Sequence, residues 1–433
     1  MTLDSIPGGT TRRGFLGITT AAVLAAEAPV EAADHREPVR ILVVGTGARG
    51  SDLTRALTTI EGADVVGVCD DYEPHLSQGA KYAGPRAERF ADYRQALDRL
   101  KPRAVVVAVP LAKHFPVTAD ALDAGCDVFC EKTMCYRIGE ARALAAKVAE
   151  TGRVFQVGLQ RRANPIYRQA AAMVKAGVIG RVTAIQAQWH RNNDWRRPVP
   201  VPRSDPRWPA LERRLNWRLY RESSDGLMSE LGSHQLDVAN WLLDAPPRRV
   251  LASGGIDHWR DGREVFDNIF CVYEYEQKAA GGGAPHAVRV TYSSLCNNAF
   301  EGASETVLGT RGTLVLTTAK GLLYRETGAD SVAWSSAPRA DDRAEGDASV
   351  VTAGKTLKLS DSPWAHRGTP VEIDNLGGDE TRTQLVAFLD NVRRHDPRTL
   401  VDARAGLRNT ATVLIANESA ETGRPVPYPA DLA

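Results

Sequence analysis

The chain has 433 residues, 43% of them hydrophobic and 25% charged, with a formal net charge of +1. That length suits two domains with buried cores, and the even charge balance excludes a general attraction to nucleic acid or anionic membrane. Six cysteines in so long a chain exclude a disulfide framework; Cys126, Cys130 and Cys135 cluster without zinc-site spacing, so no metal centre is expected and they read as small buried residues.

Residues 1–33 form a separate class of segment. Thr11-Arg12-Arg13-Gly14-Phe15-Leu16 is a twin-arginine run, followed by an apolar-leaning stretch and the small residues around Val30-Glu31-Ala32. This layout predicts an export signal and a periplasmic destination, with the protein folded before export. About a dozen apolar-leaning residues are too few to cross a bilayer, so no membrane anchor is expected.

Val39-Arg40-Ile41-Leu42-Val43-Val44 then reads as a buried parallel strand. Gly45-Thr46-Gly47-Ala48-Arg49-Gly50 follows at once, Ser51 to Thr59 reads as a helix, and Gly62 to Asp70 as a second strand ending in an acid. A lone glycine pattern is weak. Strand, loop, helix, strand and an acid 70 − 50 = 20 residues past the last glycine together predict a dinucleotide site. Gly45 allows the tight turn, Gly47 lets backbone approach the pyrophosphate, Gly50 lets helix and strand pack closely, and Asp70 is placed for ribose hydroxyls. Alternation continues through Tyr93 to Leu100 (helix), Ala104 to Val109 (strand), His114 to Ala124 (helix) and Asp127 to Cys130 (strand), which predicts a doubly wound parallel α/β sheet.

Ala108-Val109-Pro110, His114, "ALDAGCDVFCEKTM", "SELGSHQLDVANWLL" and "SAETGRPV" span nearly the whole chain after residue 33. Together they resemble the glucose–fructose oxidoreductase, inositol dehydrogenase and rhizopine catabolism (Gfo/Idh/MocA) family. That family commonly has Glu-Lys-Pro after the strand Asp127 to Cys130; here it is Glu131-Lys132-Thr133, which puts the shape of that loop in question. The resemblance implies a Rossmann domain, expected over 38–158, with NAD held by Gly45 to Gly50, Asp70, Pro110, His114, Glu131 and Lys132. It also implies an α+β domain, expected over 159–433, whose open sheet face serves a homo-oligomer, a dimer or tetramer. From the residues alone, Lys132 stands at the carboxyl edge of the sheet, where ligands bind, and reads either as a desolvated catalytic lysine or as a surface partner of Glu131.

In the second half Asn164-Pro165 opens a helix that Gly177 ends, and Val182 to Trp189 alternates as a strand. Strand-like runs at Arg249–Ser253, Asn268–Tyr275, Ala287–Tyr292 and Thr306–Leu316 predict a largely antiparallel, open-faced sheet. The polar, period-free stretch 326–380 predicts a loop insertion. Between Trp189 and Arg221 four of the eight tryptophans alternate with basic residues. On a near-neutral chain this favours a carbohydrate pocket over nucleic acid, with Arg191, Asn192, Trp195, Arg196 and Trp217 as candidate substrate contacts. His234 follows Glu230 by four residues and precedes Asp237 by three, so a helix here would bring both acids near the imidazole. Lys132, Glu230, His234 and Asp237 are therefore the candidate catalytic group. The combined expectation is an NAD-dependent oxidoreductase taking hydride from a ring hydroxyl of a sugar, glycoside or cyclic polyol, with carbon 3 of a glycoside as the specific case. The alternatives are redox-assisted glycoside hydrolysis and a non-catalytic NAD and sugar sensor; the presence of Lys132 and His234 disfavours the sensor.

Overall fold

The computed structural model describes residues 37–278, 284–326, 349–352, 355–358, 367–375 and 378–432. The twin-arginine run and the residues after it, up to 36, lie outside these, as does most of the expected insertion. The N-terminal elements run β1 (Val39–Val44), α1 (Ala48–Leu57), β2 (Ala63–Cys69), α2 (Glu73–Ala83), β3 (Glu88–Phe90), α3 (Tyr93–Leu100), β4 (Ala104–Val107), α4 (His114–Asp123), β5 (Asp127–Cys130), α5 (Ile138–Thr151) and β6 (Phe155–Val157). The six strands form one parallel sheet in the order β3-β2-β1-β4-β5-β6. Every residue of β4 and β5 is buried, as their unbroken apolar runs require of strands covered on both faces. Strand order reverses between β1 and β4, so a crevice opens beyond their carboxyl ends.

The chain continues through α6 (Pro165–Lys175), β7 (Val182–Asn192), α7 (Trp208–Leu215), α8 (Ser233–Leu243), β8 (Pro247–Gly255), β9 (Asn268–Gln277), β10 (His286–Leu295), β11 (Asn297–Gly309), β12 (Gly312–Leu316) and β13 (Gly321–Arg325). A hairpin of β14 (Ser349–Thr352) and β15 (Lys355–Lys358), then β16 (Val371–Ile373), α9 (Glu380–Arg394), α10 (Ala403–Thr422) and β17 (Val426–Pro427) complete it. Asn164 caps α6, its side chain accepting from the Ile166 amide. The second sheet has nine strands, β16-β13-β12-β11-β7-β10-β9-β8-β17, antiparallel except where β7 and β10 run parallel. Tyr273, Tyr275 and Tyr292 are sealed on its inner face, while Leu251, Phe270 and Val272 on its outer face are 49%, 53% and 44% exposed. Alternation along β8 to β10 therefore separates a core face from an open face.

Two expectations change here. The run Thr306–Leu316 is not one strand: it turns between Gly309 and Gly312, where a Cβ would stand 2.1 Å from the Ile179 carbonyl oxygen and 2.6 Å from that of Tyr324. Only glycine fits either place. Within 326–380, β16 joins the edge of the large sheet, so the stretch is not wholly a loop. The two sheets also share helices. Leu385, Phe388, Leu389 and Val392 of α9 lie in the core beneath β1, with Ile41, Val43 and Leu53, although their sequence position is far into the second half. Helix α10 packs on α5, α8 and β8 together.

Candidate active site

A cleft of about 1410 Å3 runs from the glycine loop past the end of β5 to the tryptophan-rich segment. Gly45 holds φ +88°, and a Cβ there would meet the Ala108 carbonyl oxygen at 2.5 Å. At Gly50 a Cβ would stand 1.8 Å from the Gly45 oxygen, whereas at Gly47 it would meet only the His75 ring, at 3.7 Å. The loop is thus closed behind Gly45 and Gly50 and open over Gly47, which leaves room for a pyrophosphate. Helix α1 begins at Ala48 with no acid in its first turn, so its free N–H groups face the cleft without a competing negative charge. Asp70 directly follows β2; its Oδ2 accepts from the Thr46 amide at 2.8 Å and its Oδ1 from the Tyr72 amide at 2.9 Å. The carboxylate is fixed by backbone, and its other lone pairs fit the adenosine ribose hydroxyls of a dinucleotide.

Arg49 plays a different part from the rest of its loop. Its Nε donates to Glu131 Oε1 at 2.7 Å, Nη2 to Gln160 at 2.9 Å and Nη1 to Thr381 at 3.1 Å. The side chain braces the loop against β5 and α9, leaving its backbone N–H for the cofactor. Glu131 is buried and bound to Arg49, so it is not the partner of the Lys132 side chain; the surface-lysine reading falls. His114 lines the same cleft, and its ring is fixed from behind by backbone. It is 2% exposed, and its ring nitrogens lie 2.8 Å from the Thr133 carbonyl and 3.0 Å from that of Val109. Burial holds its pKa below the ordinary histidine value despite these two oxygens.

The chemistry gathers where β5 ends. The Lys132–Thr133 peptide is cis, and the Thr133 hydroxyl donates to the Ser229 carbonyl at 2.9 Å. Lys132 Nζ donates to the Glu230 carbonyl at 3.1 Å and lies 3.8 Å from Glu230 Oε2, which also accepts from Arg218 Nε at 2.8 Å. Burial raises the Glu230 pKa, but Lys132 and Arg218 outweigh it and hold the group below the usual carboxylate range. Glu230 therefore tunes Lys132 and not His234. Met228–Gly232 is a π-helical turn preceding α8, and Lys132 and Arg218 meet the Glu230 carboxylate there. Asp237 is corrected as well. Both its oxygens are gripped by Arg162, at 2.9 and 2.8 Å, so it anchors α8 and makes no bond to the imidazole.

His234 is 7% exposed, lies 5.4 Å centroid to centroid from the Trp189 ring, and has a sealed Nδ1 with no hydrogen-bond partner among the described residues. Burial, then the charges of Lys132, Arg161 and Arg49, hold its pKa well below the ordinary value. It is a neutral imidazole beside an ammonium, able to take a proton.

Of the expected substrate contacts, Arg191, Trp195 and Trp217 line the cleft; Asn192 and Arg196 do not. Trp189 and Arg191 stand on the cleft face of β7, and strand alternation sends Asn192 to the opposite, exposed face. Arg196 is taken up by Glu212 and by Asp261, at 3.3 Å to its carboxylate. Arg197, Arg218 and Trp189 line the cleft instead. Their signal in the sequence was the same aromatic and basic interleaving, which does not say which neighbour faces inward.

Comparison with known proteins decides the family. Residues 39–159 match the family model described as "Oxidoreductase family, NAD-binding Rossmann fold", and residues 171–428 match its "C-terminal alpha/beta domain". The chain belongs to the Gfo/Idh/MocA oxidoreductase family. Its cofactor is NAD, which the loop geometry fits. Inositol 2-dehydrogenase of Acidothermus cellulolyticus is 30% identical over 53% of this chain and 61% of its own length. The scyllo-inositol 2-dehydrogenase (NAD(+)) of Bacillus subtilis is 26% identical over 56% of this chain and 66% of its own. The chain thus matches less than two thirds of the length of either of these relatives. A levoglucosan dehydrogenase structure in complex with NADH and levoglucosan shares the fold, with TM-score 0.65 at 16% identity, covering 91% of this chain and 100% of that one.

Proposed function

We propose that the protein is an NAD-dependent dehydrogenase that oxidises a ring hydroxyl of a sugar, glycoside or cyclic polyol, carbon 3 of a glycoside being the specific case. The observation carrying this reading is the neutral, buried His234 beside the Lys132 ammonium on the same cleft as the glycine loop. NAD bound there supplies the hydride acceptor. Lys132 donates a hydrogen bond to the reacting oxygen, Glu230, itself held by Arg218, keeps Lys132 in place, and His234 takes the hydroxyl proton as the C–H hydride departs. The alcohol thus loses one hydride and one proton and becomes a carbonyl. Trp189, Trp195 and Trp217 offer indole faces to the C–H surface of a sugar ring. The inositol and levoglucosan dehydrogenases among the similar proteins support the substrate class.

Lys132→Ala and His234→Ala are expected to lower NADH formation about a hundredfold or more with NAD affinity kept; near-normal turnover in both sinks the assignment. A second reading, redox-assisted glycoside cleavage, is favoured by a 34% identity over 123 residues to glycosyl hydrolase family 109 protein 1 of Akkermansia muciniphila, 27% of this chain. Mass spectrometry of products from a glycoside panel separates a ketoglycoside from a released aglycone. The same proposal places the protein in the periplasm through the twin-arginine run, tested by fractionating cells carrying Arg12→Lys/Arg13→Lys. It also has the protein self-associate, as dimer or tetramer, through the open face bearing Leu251, Phe270 and Val272, tested by light scattering.

A further inference from the structure

The substrate end of the cleft has positive charge left over. Arg49, Arg94, Lys113, Arg213, Arg214 and Arg218 line the cleft, and each meets a carboxylate. Arg191 and Arg197 line it too, and neither forms an ion pair among the described residues. Glu230 is already shared by Lys132 and Arg218 and reaches Arg191 only through space, and His234 is neutral, so positive charge stays in excess on this side among the described residues.

Arg191 is the more telling of the two. Its Nε and Nη2 are sealed and have no hydrogen-bond partner among the described residues; the buried Cys296 thiol, a weak acceptor, stands beside the guanidinium. These two nitrogens form one edge of the guanidinium. Elsewhere in this chain that same edge holds a carboxylate with both nitrogens: Arg162 on Asp237 at 2.9 and 2.8 Å, Arg207 on Asp205 at 3.0 and 2.7 Å, and Arg398 on Asp396 at 2.9 and 2.9 Å. An unmatched pair of charged donors is costly, and such a pair in a cleft is explained by a ligand that satisfies it. The planar fork fits a planar carboxylate in two parallel bonds. The Trp195 ring lies over the guanidinium, 3.8 Å from its centroid, and Trp195 is held at φ +64°, a left-handed conformation rare for a bulky residue.

We propose that the Nε and Nη2 edge of Arg191 seats a substrate carboxylate, with Arg197 drawing it in, so that the preferred substrate is a sugar acid or acid-bearing glycoside. The edge is sealed in this structure, so a shift in the packing around it must accompany binding, and Trp195, stacked on the guanidinium face, is placed to meet the sugar ring. This rests on the dehydrogenase reading and narrows its substrate class. Burial also lowers the Arg191 pKa, which an anion would counter.

The test uses the full chain carrying NAD and compares methyl β-D-glucuronide with methyl β-D-glucoside, which share their ring hydroxyls and differ in the carbon-6 carboxylate. Affinity is read by calorimetry and tryptophan fluorescence, and turnover by NADH absorbance. The glucuronide is expected to bind and react about tenfold or more better, by an advantage that shrinks as salt rises. Arg191→Gln should bring the glucuronide-to-glucoside ratio near one, and Arg191→Lys, which keeps charge but loses the fork, should keep only part of it. Should Arg191→Gln fail to fold, Arg197→Gln at an exposed position carries the test: the ratio and its salt dependence should both fall. Equal handling of the two sugars by the wild type, a ratio unmoved in the variants, or tighter binding of glucose 6-phosphate than of the glucuronide overturns the proposal. Glucuronide binding without NADH from any sugar overturns the dehydrogenase reading and leaves the carboxylate site standing; NADH from neutral sugars without an acid preference does the reverse.

Discussion

At the nucleotide end of the cleft the recognition surface is backbone: a glycine loop shaped by what a Cβ would strike, the free amides of α1, and an acid fixed by two N–H groups. At the substrate end it is side chain: a neutral histidine, a lysine and a glutamate sharing charge with an arginine, and tryptophans drawn from separate segments. Backbone recognition tolerates little change of shape and does not titrate. Side-chain recognition tolerates change at many positions but depends on burial and protonation.

The largest effect should come from breaking the backbone end. Gly50→Ala, with its Cβ 1.8 Å from the Gly45 oxygen, is expected to lower NAD affinity more than a hundredfold and to lower Tm, whereas Gly47→Ala should fold normally and weaken NAD about tenfold by filling the open cradle. Titration with NAD and thermal melts of both variants check this; equal losses would show that the closed and open sides of the loop are not distinct.

A pH test comes next, on a buried carboxyl of the second sheet. Glu305 is buried on β11, its Oε2 accepting from the Tyr167 hydroxyl at 2.5 Å, and burial raises its pKa to about 7. A carboxyl whose folded pKa is raised adds stability that is fully present below its unfolded value, about 4.3, and is lost as pH rises through about 7. Glu305→Gln should therefore gain on the wild type as pH climbs from about 5 to 8, by on the order of 2 kcal/mol, as denaturant melts across that range will register. A constant difference at all pH values would mean that Glu305 stays ionised in the fold.

Cofactor choice gives a smaller contrast. Asp71, next in the chain, would add a second negative charge against a 2′-phosphate, but Lys113 lies 3.1 Å from its Oδ2 and Arg214 3.7 Å from its Oδ1. Discrimination then rests on Asp70. Asp70→Ser should shift the NAD-to-NADP affinity ratio about tenfold toward NADP, and Asp71→Ala should move it less than about threefold, both read by titrating the two cofactors. The smallest effect belongs to Asn192→Ala: on the open face of β7 it should leave KM for any sugar within about twofold, and a larger rise would put that face in the site.

Much of this was legible in the chain itself. The Rossmann half follows from contiguous signals, because a parallel strand, its glycine turn and the next acid lie within about 30 residues and need no distant partner. Lys132 and His234 were visible as types in a pattern, and the two unlike sheets followed from alternation against helical period. What the sequence did not carry was direction. Asp237 reads as a partner of His234 until Arg162, 75 residues away, claims both its oxygens. Glu230 reads the same way until the fold brings Lys132 and Arg218 to its carboxylate. Arg49 stands in a cofactor motif and turns out to brace it. Asn192 and Arg196 differ from Arg191 and Arg197 by one position, and a one-residue step on a strand or turn reverses which side faces the cleft. Local backbone preference determines elements and their order because it acts over a few residues; which charge meets which is decided by pairing across the fold, since a buried ion settles wherever its partner comes to rest.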